Sequence, residues 1–376
     1  MKQATYQKLA MLLLAVVLIV TGCGQAGPNN NTAGTDGGTN ANAPANNGAA
    51  SNTEDDEKRV MVIRKIGGDD HTAQYLAGAK KEGEALGYKV DTFSANGETT
   101  KFHDAIAQAT AGDYDGIIIS HGDDPATVEA VQKLSDNGVP VVAFDSTPEL
   151  AAIEGVTLTS QNDESLAQLA LDRLAEEQGD DAKIVYLWVD GFPPMVRRNA
   201  VFQDMLSQNP GWSEVERFGT AAGDVSVQTQ NAVAAMLTKH PEGEIDAIFA
   251  TWDAFAIGAA RALKEAGRTE IKIYGIDVSN ADLQLMQEEN SPWVATAAVD
   301  PMMIGQVNMR LLAKKMNGEE TPAEYSLEAT LIDVETLRQS SEPVNMVNLA
   351  DLIPGWGVTD AFEEDWMKER KAAAGN

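Results

Sequence analysis

The chain has 376 residues, with 57 acidic against 28 basic side chains and a formal charge of -29 at pH 7. So anionic a surface repels phosphate backbones, which argues against nucleic acid as a partner. A single cysteine excludes an internal disulfide, and the length is ample for two α/β units.

The chain opens with Lys2 and Lys8, an apolar run from Leu9 to Val20, and small residues before Cys23. That run is too short for a comfortable permanent span, so residues 1–22 read as a cleaved export signal. Val20-Thr21-Gly22-Cys23 resembles the bacterial lipobox, in which the cysteine is lipidated and becomes the mature N-terminus. From Gly24 to about Glu57 the residues are Asn, Gly, Ala, Thr and Pro with almost no large apolar side chain. Such a stretch cannot bury enough surface to fold, and as a tether it would reach roughly 30 to 35 Å. The expected location is extracytoplasmic, anchored to the cell membrane by lipid.

The folded part begins with VMVIRKI at Val60 to Ile66, a strand, followed by a polar turn from Gly67 to His71. A helix is expected over about Thr72 to Leu86 with Gly87 as its stop, then the strand YKVDTF and a helix closing at Ala105 to Ala111. From Asp115 to Asp145 the chain reads strand, helix, strand and ends in a carboxylate, and Asp246 to Asp277 repeats that pattern. The runs IIIS and IFAT have no polar face, which suits parallel strands covered by helices on both sides. The expected fold is α/β, with two doubly wound lobes. Ligands in open parallel sheets sit beyond the carboxyl ends of strands, so Asp145 and Asp277 are pocket candidates. Taken singly, either Asp could merely cap the next helix; the matched pair favours a pocket.

The runs AGAKKEGEALGYKV, DGIIIS, GVPVVAFD, DAIFATWDAFAIGAARALKEAG and YGID, in that order, resemble the type I periplasmic sugar-binding proteins, and most of all the ribose-binding members. The likeness covers roughly Val60 to Val334. LacI-type regulators share the two lobes but start with a DNA-binding helix-turn-helix, where this chain has a signal and a tether.

The resemblance implies two lobes joined by a three-strand hinge, with a ligand held in the cleft between them by hinge closure. By analogy one lobe comprises 58–160 and 300–328, the other 161–299 and 329–337, after a signal at 1–22 and a tether at 23–57. The last stretch, 338–376, exceeds the usual family ending. Its Leu352, Ile353, Trp356, Phe362 and Trp366 suggest a segment docked on one lobe.

Several site residues follow from the same resemblance. Asp145 and Asp277 fall where the family has ligand-binding carboxylates, and they are expected to face each other across the cleft. Ser146 replaces the family's adjacent Arg, which would alter hydroxyl specificity. Arg198 falls where the family has an Arg that can bridge ligand oxygens, after a loop carrying Phe192, Pro193 and Pro194, whereas Arg197 reads as a surface residue. Trp252 replaces an amide, as a stacking wall or as a core ring; Asp253 beside it either caps a helix or meets ligand. In the first loop the family's aromatic pair is replaced by Asp69-Asp70-His71-Thr72. Asp70 and His71 are candidates there, with Tyr75 one turn later, although a plain surface loop reads equally well. The family's late Gln falls at Val299, and Asp224 is a weaker candidate in the loop before a helix.

The histidines at 71, 103, 121 and 240 lack metal-ligand spacing, and no phosphate loop or nucleophile elbow is present. Neither a metal nor a cofactor is therefore expected. Paired carboxylates can hydrolyse a glycoside, but Asp145 and Asp277 are better explained as hydrogen-bond acceptors, so the chain reads as a binding protein and not as an enzyme. The implied role is a lipid-anchored solute-binding protein that delivers a small polyhydroxylated ligand, a monosaccharide or polyol, to ABC permease subunits. The alternative is a sensory module presenting such a ligand to a membrane sensor kinase or chemoreceptor.

Overall fold

In the computed structural model, residues 57–375 are described. The expected signal, Cys23 and nearly all of the tether lie outside them.

Two six-stranded sheets carry the fold. The first is built from β1 (Arg59–Arg64), β2 (Lys89–Ser94), β3 (Gly116–Ser120), β4 (Val141–Phe144) and β5 (Val156–Gln161), alternating with α1 (Asp70–Ala85), α2 (Thr99–Ala111) and α3 (Pro125–Asp136). The chain then crosses into α4 (Asp163–Gln178), β6 (Asp181–Leu187), α5 (Pro193–Gln208), β7 (Gly211–Phe218), α6 (Val225–Lys239), β8 (Ala247–Ala250), α7 (Asp253–Ala266), β9 (Lys272–Ile276), α8 (Asn280–Met286) and β10 (Trp293–Ala298). It returns through α9 (Pro301–Met316) and β11 (Glu324–Leu327), then recrosses to β12 (Thr330–Asp333) and α10 (Val334–Leu337).

The strand orders are β11-β5-β4-β3-β1-β2 and β12-β10-β9-β8-β6-β7. Pairing is parallel throughout, except that β12 runs antiparallel to β10. The central strands β3, β4 and β8 are buried along their whole length, as continuous apolar runs require when helices cover both faces. Helices α1 and α9 pack so closely that a Cβ at Gly78 would lie 2.1 Å from the Met302 carbonyl oxygen. A polar residue sets the start of α6: Asp224 accepts from the Val227 amide, so the helix begins directly after it at Val225.

The three crossings, after β5, β10 and β11, lie on one edge of each sheet, where β11 and β12 are the outermost strands, which makes that edge the hinge. The stretch 338–376 was expected to dock on one lobe; instead its described residues, 338–375, touch both. Val344, Met346, Leu349 and Trp356 join the core of the second lobe, where Gln287 exchanges hydrogen bonds with the Val344 amide and carbonyl at 2.7 Å each. The chain then passes to the first lobe, where Phe362, Trp366 and Met367 pack over α9 and β11, the last two from α11 (Asp365–Ala373). Arg310 of α9 secures this end by donating to Glu82 at 2.7 Å and to the Thr359 carbonyl at 2.8 Å. Because Met367 is fully buried, Met367→Ala should lower the unfolding free energy by about 2 to 4 kcal/mol in urea titration. An unchanged midpoint would show that the terminal helix is not integral to the core.

Candidate functional site

The two sheets present their carboxyl ends to each other, and the residue that follows a strand decides what faces the cleft. His121, Asp145 and Asp277, directly after β3, β4 and β9, all have positive φ, at 63°, 46° and 76°. Few non-glycine residues tolerate that left-handed backbone; Asp does so better than most. Strands β4 and β9 occupy the same place in their sheets, third from the hinge edge. The match extends to single bonds, since the Asp145 amide donates to the Thr159 carbonyl and the Asp277 amide to the Ala297 carbonyl, each at 2.9 Å. The sheet therefore holds the backbone of each Asp while the turn frees its carboxylate.

Asp145 and Asp277 line one cleft together with Arg198, Trp252 and His71, with about 490 Å³ of space between atoms there when its solvent-open mouth is counted. Arg198 is 2% exposed and bridges three groups: its Nε donates to Asp163 Oδ1 at 2.8 Å, and its Nη1 to the Thr251 carbonyl at 2.6 Å and to Asp277 Oδ2 at 3.4 Å. Burial opposes its charge, but Asp277 and Asp163 outweigh that and raise its pKa. Arg197 is not a free surface residue. It forks onto Asp163 Oδ2 at 2.9 and 2.6 Å and lies 3.5 Å from Asp145 across the lobes.

Asp145 is nearly unexposed, and neither of its oxygens has a hydrogen-bond partner. Burial, with the charge of Asp163 adding to it, pushes its carboxyl up to about 7. His71 sits between Arg64 and Asp277. An arginine can only donate, so the 3.4 Å contact from Arg64 Nη2 makes His71 Nδ1 the acceptor and leaves the ring proton on Nε2, 4.0 Å from Asp277. Burial lowers the pKa of His71, against the pull of Asp277, and lowers that of His121 much further. Both rings are neutral donor–acceptors.

The remaining candidates lie beside the cleft without lining it. Ser146 is buried, accepting from the Gly122 amide and donating to the Phe144 carbonyl, so it ties the ends of β3 and β4 together. Asp70 accepts from the Asn280 amide at 3.0 Å, a contact between the lips of opposite lobes. Asp224 is an exposed helix cap. Asp253 is buried beneath Trp252, where its neighbours include the carboxylate of Asp282. Val299 is core, and Tyr75 stacks on Phe144 at 5.3 Å under Arg64.

Sequence reasoning passed over Arg64, His121 and Gln161, which also line the cleft. Arg64 and His121 share a readable signal, a polar residue ending or directly following a buried apolar strand. Gln161 closes β5 at the hinge, where its amide reaches Asp277 at 3.4 Å.

A family profile described as periplasmic binding protein domain matches residues 60–320. The chain belongs to this family. Among curated relatives, the ribose import binding protein of Escherichia coli strain K12 is 24% identical over 260 residues, covering 68% of this chain and 83% of that protein. Among solved structures, a sugar ABC transporter protein from Yersinia enterocolitica is 48% identical, with a TM-score of 0.82 over 84% of this chain and 95% of that one. The 5-methylthioribose transporter solute binding protein of Thermotoga lettingae, solved with 5-methylthioribose, is 29% identical, with a TM-score of 0.79 over 84% and 98%.

One feature of this periplasmic binding protein sits just below the cleft. Burial pushes the Asp282 carboxyl up to about 7 and raises that of Asp253 well above the ordinary carboxylate range. Folded protein thus holds protons that the unfolded chain releases near pH 4, so this contribution to stability is complete below about 4 and is lost as pH rises through about 7. Asp282→Asn should therefore flatten the fall in melting temperature between pH 5 and pH 8. An unaltered slope in thermal melts would place the titration elsewhere.

Proposed function

We propose that the chain is the solute-binding component of an ABC importer, held at the membrane by lipid on Cys23, and that it captures a monosaccharide or polyol by closing its lobes. The observation that carries this reading is the set of buried polar atoms in the cleft without protein partners: both oxygens of Asp145, Nε and Nη1 of Arg64, Oε1 of Gln161 and Nε2 of His71. Donors and acceptors are both present in one cavity, and a hydroxyl is the group that both donates and accepts. Vicinal hydroxyls would satisfy carboxylate and guanidinium at once, each such charge-assisted bond contributing about 1.5 to 3 kcal/mol. The named relatives support the same class, being ribose import, sugar transport and 5-methylthioribose transport proteins. Asp145 is half-matched by Arg197 from the facing lobe, so occupancy and closure favour each other.

Asp277→Ala should abolish binding, by at least about 100-fold, since it removes one carboxylate and unties His71, Gln161 and Arg198 from the ligand end. Arg198 keeps Asp163, so the far-ultraviolet circular dichroism should be unchanged. Calorimetry against a panel of sugars and polyols, chosen by mass spectrometry of whatever copurifies, tests this; wild-type affinity in the variant would remove Asp277 from the site. For the anchor, cells fed a labelled fatty acid should label the wild-type protein and not Cys23→Ala. Equal labelling would place the lipid elsewhere.

A further inference from the structure

The two sheets order the cleft from hinge to mouth, and its chemistry changes along that line. At the hinge end lie Gln161 at the end of β5, Asp145 after β4 and Asp277 after β9. Arg64 ends the outer strand β1 and His71 lies in the first turn of α1, but both lean inward: the Arg64 guanidinium stands 6.0 Å from the ring of Phe144 on β4, and His71 Nε2 stands 4.0 Å from Asp277. The side chains that carry the unpartnered polar atoms thus stand at the inner end or lean toward it.

The outer end is different. The connection between β6 and α5 contributes Val189 and Phe192 and the first turn of α5 adds Pro194 and Met195, flanked by Trp252 after β8 and faced by Ile66 from the first lobe. Its position at the mouth is fixed by two contacts between loops: Phe192 lies 6.0 Å from Lys65 Nζ, and a Cβ at Gly97 would lie 3.2 Å from the Ala221 carbonyl oxygen. The polar tip of Trp252 aside, these side chains offer no hydrogen bond. The Met195 sulfur is already engaged by the Thr251 hydroxyl at 3.3 Å.

An unsubstituted sugar carries a hydroxyl at the end opposite the one that the carboxylates hold. Closing the lobes would press that hydroxyl against the apolar wall, desolvated and without a partner, which is costly. We infer that the ligand is a sugar whose terminal hydroxyl is replaced by an apolar alkyl or alkylthio group, with its remaining hydroxyls on Asp145, Asp277 and Arg64 and the substituent against Val189, Phe192 and Met195. This rests on the reading of the cleft as a hydroxyl-binding site. A thioether there would also gain from the polarizable sulfur and aromatic ring around it.

The test is calorimetry of the purified protein with three probes: ribose, 5-deoxyribose and 5-methylthioribose. The expected order of affinity is 5-methylthioribose above 5-deoxyribose above ribose, with about 30-fold or more between the extremes, the scale on which an apolar pocket discriminates small groups. Val189→Thr supplies a hydroxyl at nearly constant volume and should narrow that ratio several-fold. Ribose binding as tightly as 5-methylthioribose, with measurable affinity for both, would overturn the apolar-substituent inference and leave the sugar-binding reading standing. Failure of all three probes and of the wider polyol panel would overturn both.

Discussion

Three carboxylates, Asp145, Asp163 and Asp277, are buried around two adjacent arginines of one helix, and the site depends on how that charge is shared. Asp163 takes close bonds from both Arg197 and Arg198. Asp277 receives a longer one from Arg198, and Asp145 is left with a 3.5 Å approach from Arg197 and no hydrogen bond. A buried charge without a partner is far more costly than one in a completed pair. Asp145 must therefore hold a proton, regain water by opening, or find a donor in a ligand. Closure of the lobes and occupancy of the cleft are thus tied by electrostatics.

The two sheets exist, in this sense, to bring the ends of β4 and β9 together, and that much was legible. An apolar run ending in Asp appears twice, and the parallel-sheet rule places both ends at the cleft. The left-handed turn adds a physical reason for Asp at those positions. Arg198 was legible through family resemblance, whereas Arg197 was misread as a surface residue. Its partner Asp163 is distant in sequence, and no local pattern shows that both arginines turn onto one carboxylate. Asp70, Ser146, Asp224 and Asp253 mark a different limit. Polar loop residues that cap helices or tie loops are the same types that bind ligands, and only the fold shows that these four bond to nearby backbone or sink beneath the site. Arg64, His121 and Gln161 escaped because each looks like an ordinary strand terminus until the second lobe is opposite.

The contact of Asp70 with the Asn280 amide gives closure a signature outside the cavity. It joins the start of α1 to the start of α8 and needs the lobes drawn together. With the approach of Gly97 to Ala221, it defines a surface that exists only in the closed arrangement. A partner that recognises this surface reads occupancy as shape, with no contact to the ligand itself.

The segment that follows α10 changes the connectivity of the whole molecule. After β5, β10 and β11 the chain crosses between lobes; the passage from Trp356 to α11 is one more crossing, which returns it to the lobe that contains β1. Within the described residues the second lobe is therefore an insert with neither end free. It cannot fray from a terminus, and strands β11 and β12 stitch it to its host beyond the point where it first left. Many of the stabilising contacts join residues far apart in sequence, such as Glu82 with Arg310 and Asp70 with Asn280. Such an arrangement favours slow folding, because loop closure must precede the contacts that reward it.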